Sequence, residues 1–273
     1  MKLKNKVIVI TGSTRGIGLA IAKACAGEGS NVVICSRRKS AVTETCKSFI
    51  REGFNVSGLS VDITVQSDIE KLLQHTVDTF GGVDVWINNA GLSGGYRFLD
   101  DIPDEEILKI VKVNIIGTLL ACRLIIPYFI ANKGGILINL GGKGSRGEAA
   151  PFLTTYAATK AAVTSITKSL AQEYKNYPVS IHSVIPGMVK TDFYKDMKVS
   201  TGLINQAKSV PYALKAFGVP IDIVGKYIAQ IAAQKPGKVT GKQYSLFKGF
   251  RLMRGIGLMI WYRITGKLRN DKK

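Results

Sequence analysis

Thr11-Gly12-Ser13-Thr14-Arg15-Gly16-Ile17-Gly18 joins an apolar run, Val7–Ile10, to a helical pattern over 16–28. Glycines spaced G-x-x-x-G-x-G let the backbone turn tightly and come close to a pyrophosphate. The phosphates then rest on the N-terminal amides of the following helix. The spacing is not G-x-G-x-x-G, so the turn alone does not name a family.

Outward from this turn, strand-like and helix-like segments alternate. Residues 7–10, 31–35, 55–61, 83–87, 135–140, 179–185 and 243–246 are rich in Val and Ile and mostly apolar throughout, as strands covered on both faces must be. Helical patterns lie between them at about 16–28, 40–52, 65–80, 105–131, 155–174 and 221–233. This alternation predicts an α/β fold: a Rossmann-type, doubly wound parallel sheet of about seven strands with helices on both faces. No repeat or low-complexity linker divides the chain. The sequence therefore predicts one domain over 1–246, with a variable stretch at 193–220 placed to close over a ligand, and a basic extension over 247–273. Ligands of such sheets bind outside the carboxyl ends of the strands, where the strand order reverses.

With 273 residues, 46% of them apolar and 21% charged, the chain can bury a sizeable core, which excludes a disordered or fibrous class. Strand 7–10 begins directly after Met1-Lys2-Leu3-Lys4-Asn5-Lys6, which predicts a protein made and kept in a cytosol-like compartment. Cys25, Cys35, Cys46 and Cys122 form no C-x-x-C pair and fall inside helix or strand patterns, so buried reduced thiols are expected and no metal site. His182 falls in a strand and is expected in the core; His75 is expected to face solvent. The net charge is +19, and residues 235–273 carry 11 basic residues and one acidic, so an anionic partner is expected.

Two more motifs follow the glycine-rich turn: Asn88-Asn89-Ala90-Gly91 after the fourth strand, and Tyr156-x-x-x-Lys160 at the start of a later helix. In that order the three resemble the short-chain dehydrogenase/reductase family over about residues 6–246. The resemblance implies that Gly12, Gly16 and Gly18 hold the cofactor phosphates, with Ser13, Thr14, Arg15, Ile17, Tyr156 and Lys160 also among the cofactor contacts. It also implies that Asp62 contacts adenine, that Asn88 and Ala90 line the ribose and that Thr191 holds the nicotinamide amide, with Ile63, Gly91, Pro186, Gly187 and Val189 also among the cofactor contacts. Asn114, in Val113-Asn114-Ile115-Ile116-Gly117, matches the family's active-site asparagine. Independently of the family, residues four apart share a helix face, so a Lys160 ammonium is expected to lower the pKa of Tyr156 and make it a proton donor.

The second strand ends in Ser36-Arg37-Arg38-Lys39, without the acid that an NAD enzyme usually presents to the ribose 2′-hydroxyl. Arg15, Ser36 and Arg37 suit a 2′-phosphate, so NADP(H) is the expected cofactor. One departure stands out: Gly141 and Gly142 occupy the place where the family carries a carbonyl-polarising serine. Gly142, Lys143, Ser145 and Phe193 are the expected substrate contacts, with Lys143 or Ser145 as possible substitutes for the serine. The stretch 134–160, Met188, Asp192 and Thr240-Gly241-x-x-Tyr244-Ser245 resemble the chlorophyll(ide) b reductase subgroup, which also lacks the serine and reduces a ring formyl group at a membrane. The resemblance thus implies a reductase of a small hydrophobic carbonyl substrate acting as a homo-oligomer. Two alternatives stand beside it: a lipid, steroid or 3-oxoacyl ketoreductase, and a weakened NADP(H)-binding regulatory protein.

In the extension, Phe250, Met253, Gly257, Ile260, Ile264 and Leu268 fall on one helix face, while Lys248, Arg251, Arg263 and Arg269 fall on the other. Such a helix suits an anionic membrane interface, or a subunit contact that would leave the cations unused. Trp261 and Tyr262 form no stacking series, so no nucleic acid is expected.

Overall fold

A computed structural model describes residues 1–195, 197–246 and 250–265, without the side chains of Phe193, Lys195 and residues 250–252. The strands are β1 (Val7–Thr11), β2 (Asn31–Ser36), β3 (Val56–Ser60), β4 (Val85–Asn88), β5 (Gly135–Leu140), β6 (Val179–Ile185) and β7 (Gln243–Ser245). All pair in parallel in the order β3-β2-β1-β4-β5-β6-β7. The order reverses between β1 and β4, which opens a crevice at their carboxyl ends. The fold is the Rossmann-type doubly wound sheet that the alternation predicts.

Every residue of β1, β5 and β6 is buried, which explains why these strands read as apolar without alternation. On one face Ile8, Ile10, Ile34, Ile87 and Ile138 meet α1 (Gly16–Gly27), α2 (Lys39–Arg51) and α10 (Ile221–Ala232). On the other, Val9, Val33, Trp86, Leu137 and Ile181 meet α3 (Gln66–Phe80), α5 (Gly117–Ala131) and α6 (Thr154–Glu173). Each such side chain contributes about 1.5–3 kcal/mol. Helices α1 and α10 pack so closely that a Cβ on Gly225 would strike the Ala20 carbonyl.

The pattern over 105–131 is one continuous run in three parts: α4 (Asp104–Val111), a π-helical turn (Lys112–Ile116) and α5. Asp104–Ala131 is long and apolar enough to cross a membrane, yet Ala121, Ile125 and Phe129 are buried against the sheet, so it is a core helix. His182 is buried against Tyr244, as expected. His75 is a correction: it is half-buried, and its Nε2 lies 2.8 Å from Ser57 Oγ, because α3 turns that side of its last two turns toward β3.

Beyond β6 lie α7 (Asp192–Lys195), α8 (Ile204–Ala207) and α9 (Val210–Phe217). This segment is tied to the body by bridges from Tyr96 to Val199 and from Met188 to Gly218. Helix α11 (Phe250–Ile264) packs on α9, where Tyr262 meets Tyr212 edge-on and Gly255 leaves room for the Phe217 ring. Met253, Gly257, Ile260 and Ile264 all face outward. Lys248, Leu268, Arg269 and the side chains of Phe250 and Arg251 lie outside the described residues.

Candidate active site

The crevice at the reversal point holds a cavity of about 860 Å³. Its floor is the glycine-rich turn. Gly12 sits at φ 65° and Gly16 at φ 56°, both left-handed, and a Cβ on Gly12 would press on Ala90 at 3.0 Å. Gly18 has no room for a Cβ between the Gly12 carbonyl and the Asn89 amide. Arg15, at the N-cap of α1, makes no side-chain cap, so the first amides of the helix are left for an anionic ligand. Three glycines that keep side chains out of a turn, below an uncapped helix end, fit a dinucleotide pyrophosphate.

Gly12, Thr14, Arg15, Gly16, Ile17, Gly18, Ser36, Arg37, Asp62, Ile63, Ala90, Gly91 and Thr191 all line this cavity. Pro186, Gly187 and Val189 line the smaller cavity described below, and two predicted residues line neither. Ser13 is buried: its hydroxyl donates to the Ile10 carbonyl at 2.7 Å and accepts the Cys35 amide, which ties β1 to β2. Asn88 points into the core, where its amide donates to Asn139 Oδ1 at 2.9 Å and its oxygen accepts the Trp86 indole N–H. Asn89 takes the lining position instead, its side chain donating to the carbonyls of Thr11 and Gly12. Alternation along β4 is the reason: of two adjacent asparagines, only one can face the crevice.

A second cavity, of about 140 Å³, adjoins the first and shares Ile17, Asn89, Gly91 and Thr191 with it. Tyr156, Lys160, Gly142, Lys143, Pro186, Gly187, Val189 and Tyr194 complete its wall. Helix α6 presents Tyr156 and Lys160 one turn apart, with Lys160 Nζ 5.7 Å from the tyrosine ring centre. Lys160 Nζ donates to the Leu140 carbonyl at 2.8 Å.

The electrostatics depart from the sequence prediction. Burial, aided by Tyr194, pushes the Tyr156 phenol above its ordinary value. Burial also lowers Lys160 to about 8. The ammonium spends a hydrogen bond on Leu140, and desolvation outweighs the attraction that was expected to bring the tyrosine toward neutrality.

Asn114 is buried in the π-helical turn and holds the site together. Its Nδ2 donates to the Leu92 carbonyl and to Thr159 Oγ1, both at 2.9 Å, and its Oδ1 accepts the Leu92 amide at 2.8 Å. Thr159 Oγ1 in turn donates to the Tyr156 carbonyl at 2.7 Å. The asparagine thus joins the Gly91-Leu92 backbone to the helix that carries Tyr156. The extra residue of a π turn re-aims the side chain, a device frequent at functional sites.

The short chain dehydrogenase family matches residues 6–200 of the chain. The chain belongs to the short-chain dehydrogenase family. Among curated relatives it is 36% identical over 228 residues to chlorophyll(ide) b reductase NOL, chloroplastic, of Arabidopsis thaliana, covering 81% of this chain and 63% of the relative. It is 36% identical to the probable chlorophyll(ide) b reductase NYC1 of Oryza sativa, covering 68% of this chain and 40% of that protein. It is 30% identical to dehydrogenase/reductase SDR family member 4 of Bos taurus, covering 88% and 85%. The chain therefore spans less than two thirds of the two chlorophyll(ide) b reductases. Among solved structures, that of 3-ketoacyl-(acyl-carrier-protein) reductase from Brucella melitensis complexed with NADH superposes with a TM-score of 0.78 at 25% identity, covering 89% of this chain and 97% of that one.

Within this short-chain dehydrogenase, Gly142 has no side chain, and a Cβ built on it would run into the Tyr156 hydroxyl. Ser145 is buried, its Oγ accepting the Gly142 amide at 2.9 Å and donating to the Lys160 carbonyl at 3.3 Å. That hydroxyl shapes the loop and does not line the cavity, so Ser145 is not the expected substrate contact. Lys143 lines the cavity, is half exposed and pairs with Glu148 at 3.7 Å. The Phe193 side chain lies outside the described residues. The sequence missed Asn89, which is masked by its twin Asn88, and the place of Tyr194 in the wall of the small cavity, since it reads only as one more residue of the 193–220 stretch. It also missed Lys198 and Glu106, ion-paired at 3.0 Å beside the large cavity, because nothing local joins positions 92 apart.

Proposed function

We propose that this protein is an NADPH-dependent reductase of an aldehyde or ketone on a hydrophobic substrate. The observation that carries this reading is the small cavity: it joins Tyr156 and Lys160 to the glycine-lined cleft through four shared residues. A bound nicotinamide supplies hydride to the carbonyl carbon, and the chain's own residues manage the proton and the orientation. Tyr156, held protonated by burial, donates its proton to the carbonyl oxygen. Lys160 supports the tyrosinate left behind, and Asn114 supports a proton relay by fixing Leu92 and α6 around them. Gly142, Lys143 and the segment 193–220 bound the substrate side, that segment acting as a lid.

NADPH in preference to NADH rests on Ser36, Arg37 and Arg15 around the large cavity, with no carboxylate at the end of β2. Likeness to the chlorophyll(ide) b reductases favours a ring formyl group as the carbonyl. The 3-ketoacyl reductase likeness favours a 3-oxoacyl or other lipid ketone as the second reading. Gly142 is the observation that favours a weakened, cofactor-binding regulatory protein.

The outer face of α11 supports attachment to an anionic membrane surface. Met253, Ile256, Ile260 and Ile264 are exposed there, with Arg254 and Arg263 beside them. Exposed Leu108, Ile116 and Leu119 on the α4–α5 run support a homo-oligomer.

The test is NADPH consumption with a panel of hydrophobic aldehydes and ketones, including a formyl-bearing tetrapyrrole, by wild type and Tyr156→Phe. Turnover that falls by about 10²-fold or more in the variant is expected for a proton donor. NADPH binding without turnover on any substrate, equal in both proteins, favours the regulatory reading.

A further inference from the structure

Reduction of a carbonyl places negative charge on its oxygen, and an enzyme site ordinarily aims two donors there. The structure leaves the second donor to be found. Gly142 carries no hydroxyl, and the space its Cβ would need is filled by the Tyr156 hydroxyl. Ser145 spends its hydroxyl on the Gly142 amide and the Lys160 carbonyl. Lys143 is drawn outward to Glu148.

Tyr194 stands in the wall of the same 140 Å³ cavity as Tyr156, Lys160 and Gly142. Its backbone amide donates to the Thr191 carbonyl at 3.0 Å, which ties the start of α7 to a residue shared by both cavities. We propose that Tyr194 replaces the missing serine, its phenol donating a hydrogen bond to the substrate carbonyl oxygen while Tyr156 transfers its proton. This rests on the reductase reading above. In the step, the nicotinamide C–H bond breaks and a C–H bond forms at the carbonyl carbon. The O–H bond of Tyr156 breaks and an O–H bond forms on the carbonyl oxygen, while Tyr194 keeps its own proton throughout.

Two features of the chain agree with the assignment. Burial raises the Tyr194 phenol above its ordinary value, so it stays a donor at neutral pH. Tyr194 also shares the wall of the 140 Å³ cavity with Tyr156, which keeps the two side chains close. A donor arriving from the lid side makes a serine just after β5 unnecessary. It also accounts for glycine at 142, where any Cβ would displace the Tyr156 hydroxyl from the cavity.

The experiment compares the full-length wild type with Tyr156→Phe, Tyr194→Phe and Tyr194→His, using the best aldehyde of the panel. NADPH affinity is measured separately by fluorescence. Tyr194→Phe is expected to lower kcat by about 10²–10³-fold with NADPH affinity unchanged. Tyr194→His, which keeps a donor, should recover part of that loss. A Tyr194→Phe kcat within twofold of wild type, while Tyr156→Phe is inactive, overturns the proposal and leaves the reductase reading standing. Wild-type turnover that survives in Tyr156→Phe removes both together.

Discussion

Gly141 and Gly142 stand where the resemblance places the family's serine, and the surroundings of Gly142 make a counterintuitive prediction. Installing the family's serine by Gly142→Ser should lower activity, because the new Cβ occupies the space of the Tyr156 hydroxyl. A kcat above wild type would show that the tyrosine swings aside without cost. Lys160 gives a second expectation. Its ammonium is the charge that supports a tyrosinate, and burial lowers its pKa to about 8. The protonated form prevails below that pH and is lost above it, so kcat for reduction should be flat through neutrality and fall as pH rises past about 8. Lys160→Arg keeps the cation at all accessible pH. A pH profile of the variant, at whatever reduced rate, should lack the alkaline limb.

Among the elements, β6 carries a group that responds to acid. His182 is buried, neither ring nitrogen has a hydrogen-bond partner among the described residues, and burial, then the charge of Lys242, lowers its pKa to about 4. An unfolded chain takes up this proton as pH falls through about 6.5, whereas the folded strand resists until about 4. Stability is therefore fully present above 6.5 and drains away between the two values, by roughly 2–3 kcal/mol at pH 4.5. Denaturant unfolding at pH 7.5 and 4.5 should show that extra loss in wild type and not in His182→Phe. The strands were legible in the sequence because burial on both faces leaves a continuous Val/Ile run, as in Val-Ile-Val-Ile of β1. The cofactor floor was legible for the same local reason, since a turn that must admit a ligand advertises its glycines. What escaped depends on distance in the chain. The π turn has no composition of its own, so a single helix was predicted where Asn114 is re-aimed. Ser145 looked like a spare hydroxyl until the fold brought the Gly142 amide and the Lys160 carbonyl to it.

For the molecule as a whole, the excess of cations over acids has two separate destinations. Arg15 and Arg37 line the large cavity, where a 2′-phosphate would meet them. Arg37→Ala should cut selectivity for NADPH over NADH by about 10–100-fold, since a charge-assisted hydrogen bond contributes about 1.5–3 kcal/mol. Comparison of kcat/KM for the two cofactors reads this directly. The cations of α11 lie elsewhere. That helix turns Gly255 and Tyr262 inward onto α9, leaving Met253 at 71% exposure and Ile264 at 79%. Its nineteen-residue neighbourhood, 247–265, contains no acid to neutralise Arg254 or Arg263. A subunit contact would bury the stripe but leave those charges without counterpart, whereas an anionic bilayer satisfies both at once. Co-sedimentation with vesicles containing phosphatidylglycerol should therefore exceed that with neutral phosphatidylcholine and weaken as salt rises, because the attraction is screened over about a Debye length. The double variant Arg254→Glu/Arg263→Glu should lose the preference for anionic lipid while NADPH affinity stays unchanged. Equal binding to both lipids, or a stripe shielded in a salt-independent oligomer, would assign the face to a second copy of the chain.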